Sequence, residues 1–112
     1  MAPYELRNLT VSQLGKIRNS MLSAEYMWES KKLPPEKQQE SGLLLHKVQM
    51  AFFEIRKAEL ADIRDQLATL EPELTDGVNA VQQVLADLKK TEDILAVVAG
   101  FLDITTRILT LL

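Results

Sequence analysis

Residues 72–112, PELTDGVNAVQQVLADLKKTEDILAVVAGFLDITTRILTLL, carry an apolar stripe that never breaks, and the fold turns on what covers it. Counted in heptads from Val78, one set of positions reads Val78, Leu85, Glu92, Ala99 and Thr106, and the other Val81, Leu88, Leu95, Leu102 and Leu109. That is the seam of a helix packed lengthwise against another. Beyond Thr91 a second apolar face joins it: Ile94, Val97, Val98, Phe101, Ile104, Ile108, Leu111 and Leu112. On a helical wheel the apolar sector there spans roughly 200°, about twice what one neighbouring helix covers. A second cover is required, and it must come from the same chain, another chain or lipid.

Working back from this stretch, a helix fits about 73–111, a second about 35–70 and a first about 11–31, all within one helical domain over 1–112. Thr10 followed by Gln13 has the spacing of a capping box, which predicts a start at Val11 after an irregular arm. In the first helix Leu14, Ile17, Met21, Ala24 and Trp28 step by three and four, which places Trp28 in the core. The second helix is densely apolar early, at Leu43, Leu44, Leu45, Val48, Met50, Phe52, Phe53 and Ile55, then thins to Leu60, Ile63, Leu67 and Leu70. The prolines punctuate: Pro34-Pro35 separates the first two helices and Pro72 the last two, each proline fitting a first helical turn. Asp76-Gly77 is a rival turn signal.

Folding at Pro72 lays the second and third helices antiparallel, with facing residue numbers adding to about 145, and folding at Pro34 sets the first against the second at about 67. The short first helix then covers the parts of the two long helices that carry surplus apolar surface. The expected architecture is all-α, a three-helix antiparallel bundle whose two long helices extend beyond it as a coiled-coil hairpin arm.

Composition excludes several functions. Net charge is −3 and no helix face concentrates Lys and Arg, so a nucleic-acid footprint is missing. The absence of Cys removes disulfides, thiolate metal sites and thiol nucleophiles. No apolar run of signal-peptide length opens the chain, which points to the cytoplasm or to export by a route that needs no cleaved leader. The one histidine, His46, has Gly42, Leu43, Gln49 and Met50 at the helical neighbour positions, none of them a carboxylate or a second histidine, and reads as a boundary residue. Glu54, Glu59, Asp62 and Asp65 lack the Glu-x-x-His pairs of a bundle metal site and read as a solvated face. No phosphate loop, nucleophile motif or zinc spacing is present, so neither catalysis nor a cofactor or metal is expected.

Asp103 and Arg107, four apart and on the same side as Glu92, Ala96 and Gly100, keep a polar strip along the last helix to its end. Two charges at about +2.5 to +3.5 kcal/mol each offset the apolar gain of insertion, so a permanent span is disfavoured. The first reading is therefore a non-enzymatic interaction or assembly module whose partner is itself, as a homodimer or higher oligomer, or another helical protein. Its contact surface is expected on the C-terminal helix, at Phe101, Ile104, Ile108, Leu111 and Leu112. The runner-up is a membrane-active helical hairpin, a small subunit of a pore-forming or lysis system, whose last helix enters lipid.

Overall fold

Five helices and one short 3-10 turn make up the computed structural model, which describes residues 1–112 and contains no strand. They are α1 (Pro3–Met21), α2 (Ala24–Ser30), α3 (Pro35–Arg56), α4 (Arg64–Val84) and α5 (Thr91–Thr110), with the 3-10 turn at Ala61–Ile63 leading into α4.

The first helix starts earlier than its capping signal predicts. Pro3 occupies a first-turn position, where its missing N–H costs nothing, and Glu5 accepts the Ala2 N–H at 3.2 Å. Thr10 is no cap: it lies buried within α1 and its hydroxyl donates to the Leu6 carbonyl at 2.7 Å. The helix also ends earlier, because Ser23 leaves the helical conformation and its Oγ accepts the Tyr26 N–H at 3.2 Å, capping a separate α2. That break changes the phase of everything after it. Tyr26 turns inward and donates to or accepts from Ser41 Oγ at 2.8 Å, while Trp28, expected in the core, is 66% exposed.

The link between α2 and α3 behaves as the proline pair predicts. Pro35 sits in the first turn of α3, with Glu36 beside it and Arg56 in the last turn, both suited to the helix dipole. Gln38 Nε2 donates to the Leu33 and Lys31 carbonyls at 2.8 and 3.1 Å and ties the link down. Chain reversal here pairs Tyr26 with Ser41, brings Gly15 beside Phe52, and lets the Arg7 guanidinium donate to the Ala58 carbonyl at 3.3 Å. These pairings realise the antiparallel register expected for the first and second helices.

The hairpin arm is corrected. The expected helix over 35–70 ends at Arg56, and the chain turns through residues 57–63, burying Ala58, Leu60 and Ile63. Glu59 accepts the Ala61 N–H at 3.2 Å in that turn. A two-helix arm would leave Leu60, Ile63 and Leu67 sharing a narrow seam; the turn carries all three into the common core, so packing overrides local helix propensity. Pro72 is not a turn but an exposed residue inside α4. The carbonyl it leaves without a donor is that of Ala68, also exposed, where water can take the bond. The reversal comes instead at residues 85–90, where Asp87 accepts the Lys89 N–H at 3.1 Å, so the expected helix over 73–111 is two helices.

The rival turn Asp76-Gly77 is helical and has a packing role. A Cβ on Gly77 would stand 3.1 Å from the Ile104 side chain and 3.2 Å from that of Phe101, so the glycine lets α4 and α5 approach closely. Arg107 reaches across the same pair to Glu73 and also faces Asp103 at 3.5 Å. Glu73 and Arg107, like Gly77 and Ile104, show α4 and α5 to be antiparallel about the turn at residues 85–90.

The four long helices close into a ring. Helix α1 packs on α3 and α4, and α5 packs on the same two, while α1 lies across the diagonal from α5 and α3 from α4. The Met1 amino group meets Glu71 at 3.0 Å near one end, and Gln13 to Ser20 flank Gln82 to Ala86 near the other, so α1 runs parallel to α4. It follows that α3 runs parallel to α5. Helices of about 20 residues are about 30 Å long, which fits an overall extent of 44 × 22 × 19 Å. The surplus apolar surface of α5 is therefore covered by α3 and α4, not chiefly by α1.

Candidate interaction surface

The five residues expected to form a contact surface fall into two groups. Phe101, Ile104 and Ile108 are buried in the chain's own core at 1%, 8% and 1% exposure, because α5 has two neighbours, not one. In this fold they face the chain's own interior. Leu111 and Leu112 remain exposed just beyond α5. Leu111 borders an open groove of about 670 Å³ with Asp65, Gln66, Thr69, Leu70, Arg107 and Thr110, in which Leu70 and Leu111 are the hydrophobic residues.

A larger apolar exposure lies on α3, where the sequence reading assigns every apolar residue to the interior. Ser41, Leu44, Val48, Ala51 and Ile55 do face the core. Leu43, Met50 and Phe53 do not, and each is about half exposed. At 100° per residue they lie on the side of α3 directed away from Val48 and Ile55. With Gln39, His46 and Lys57 they form one outer seam spaced by four and three, which is the a/d pattern of a coiled coil presented by a single helix.

One member of that seam has an aromatic and a cationic neighbour. Phe53 meets Phe52 edge to face at 5.8 Å between ring centroids, and the Arg56 guanidinium lies 5.2 Å from the Phe53 ring and 5.4 Å from that of Phe52. Arg18 from α1 covers Phe52 at 4.6 Å. An exposed aromatic ring fixed by two neighbours loses little freedom on meeting a partner, which is the property of an interface anchor.

On its other flank the seam borders a groove of about 510 Å³ between α3 and α5, with Met50, Ala51, Leu102 and Leu109 as its apolar lining and His46, Lys47, Glu54 and Thr106 as its polar lining. Lys47 and Glu54 stand exposed, and neither takes part in an ion pair within the chain. His46 is exposed, not at a boundary, and makes no hydrogen bond. Glu54, Glu59, Asp62 and Asp65 are all exposed, and no group of three or more His, Cys, Asp or Glu is placed to hold a metal ion.

The other polar features lie away from this face. Gln13 is buried with its Oε1 unpartnered, in the wall of a groove of about 410 Å³ whose remaining polar lining is Lys16, Asn19, Ser20 and Gln82. Burial pushes the Tyr26 hydroxyl above its ordinary pKa, against a smaller opposing pull from the Ser41 hydrogen bond. The Arg107 hydrogen bond holds the Glu73 carboxyl below its usual range, and the same bond raises Arg107. These shifts belong to packing and to the α4–α5 contact. No helix is long and apolar enough to cross a membrane.

What the sequence offers for the α3 seam is a doubled periodicity. Leu44, Val48, Ala51 and Ile55 form one set, and Leu43, Met50 and Phe53 another, displaced around the helix. Comparison with models of protein families, with curated proteins and with solved structures found no match for this chain.

Proposed function

We propose that this chain is a non-enzymatic helical interaction module, and that it docks a helix of another protein chain along the outer seam of α3. The observation that carries the reading is the half-exposure of Leu43, Met50 and Phe53 at helical spacing, on the side of α3 facing away from the core. Large apolar groups aligned in this way cost solubility when bare and gain from burial at roughly 25 cal/mol per Å² when a partner covers them. The fixed Phe53 ring supplies an anchor, and the alternation of fours and threes suits an incoming helix. The reading as a non-enzyme is supported by His46, which stands exposed in the seam and takes part in no ion pair within the chain.

Site-specific photo-crosslinking in cells of the source organism tests this. A photoreactive residue at position 46 is expected to give a discrete protein adduct that disappears when Phe53→Ser is added, while the same residue at position 68, exposed on α4, gives none. Equal labelling from both positions, or none from position 46, contradicts the proposal.

A further inference from the structure

We infer that the helix docked on this seam is α3 of a second copy of the same chain, running antiparallel about a two-fold axis that passes between Met50 and Phe53. The inference rests on the docking reading above and adds the identity of the partner. Its basis is the one register of α3 against itself that joins apolar layers to favourable charge pairs.

The seam residues Gln39, Leu43, His46, Met50, Phe53 and Lys57 are flanked on the α5 side by Glu40, Lys47 and Glu54, and on the α1 side by Gly42, Gln49 and Arg56. In an antiparallel pair the seam residues meet in layers, and each flank faces the same flank of the other copy. Setting Leu43 against Phe53 of the other copy places Lys47 beside its own counterpart and Glu40 beside Glu54, which is repulsive throughout. Setting Leu43 against His46 relieves the charges but puts Met50 on Gln39 and Phe53 on Glu36. A shift the other way, with Met50 on Phe53 twice over, brings Lys47 of each copy to Glu54 of the other. Met50 and Phe53 then meet each other in two apolar layers and both ion pairs are favourable, while His46 faces Lys57 at the margin and Leu43 lies past the end of the other copy's α3.

A parallel pair has no such solution, because it stacks Lys57 on Lys57, aligns the two helix dipoles and sets Lys47 and Glu54 opposite Gly42 and Gln49. Lys47 and Glu54 are also free for the role: neither is paired within its own chain, whereas Glu40 already holds Lys37 at 3.2 Å. Both border the α3–α5 groove, so the cross-pairs close over Leu102 and Leu109 and extend the contact on to α5.

Sedimentation equilibrium on the purified chain, with circular dichroism to verify folding, decides the matter. The wild type should move from 12.7 kDa toward twice that mass as concentration rises. Lys47→Glu and Glu54→Lys, each creating two like-charge contacts, should weaken the dimer about tenfold or more. The double variant K47E/E54K restores the pairs in reverse and should return affinity to within about threefold of wild type. A dimer indifferent to the single reversals, or a folded double variant without recovery, overturns the inference. A wild type that stays at 12.7 kDa while position 46 still crosslinks in cells overturns the second copy as partner and leaves the docking reading standing.

Discussion

Trp28, which its spacing places in the core, is bare, and Tyr26, two positions earlier, lies inside. Ser23 ends one helix and caps the next, and the resulting phase change sends the tyrosine inward to Ser41 and leaves the tryptophan bare. The buried phenol carries a pH consequence. Its pKa is raised in the fold, so the stability it contributes is fully present below the ordinary value of 10.0 and is lost as pH rises through the raised one. Thermal melts across the alkaline range should therefore show wild type losing stability as the unfolded phenol ionises. Tyr26→Phe is expected to start lower by about 1 kcal/mol, for the lost hydrogen bond, and to lack that alkaline decline. Parallel declines in the two proteins would place the titrating group elsewhere.

At the scale of elements, the prolines and the helix breaks prove to be separate matters. Pro34-Pro35 marks a true boundary, but Pro72 lies within α4, and the two breaks that set the topology, at residues 57–63 and 85–90, contain neither Pro nor Gly. They form because each turn delivers apolar residues to a core that a straight helix could not reach: Ala58, Leu60 and Ile63 at the first, Leu88 against the core's edge at the second. Pro72 inside a helix is a local cost, which its substitution should release. Pro72→Ala is expected to raise stability by about 1–3 kcal/mol in urea unfolding, after allowing for the freer unfolded chain. Were residue 72 the bend of a long hairpin, the same change would leave stability unchanged or lower it.

For the whole molecule, the sequence made legible what depends on local periodicity. The all-helical class, the inward face of α1 at Leu14, Ile17 and Met21, and the antiparallel meeting of α1 with α3 all follow from residue spacing. The closure of α1, α3, α5 and α4 into a ring does not, because it depends on where the chain folds back, and those bends are decided by packing between distant segments. Ring closure also explains why Phe101, Ile104 and Ile108 face the interior and not solvent. Two neighbours bury the broad apolar sector of α5, whereas α3 keeps Leu43, Met50 and Phe53 half in solvent, and its doubled apolar pattern reads as a single core set until those three are placed on the wheel.

The central claim is that these three side chains serve contact with a partner and not the stability of the fold. The direct measurement is urea unfolding of Leu43→Ser/Met50→Ser/Phe53→Ser at a concentration low enough to keep every species monomeric. Exposed apolar groups removed singly change stability by within about 0.5 kcal/mol, so the account predicts cooperative unfolding within about 1.5 kcal/mol of wild type. A loss of several kcal/mol, of the size expected for hollowing a core (about 2–5 kcal/mol for one large residue), would contradict it.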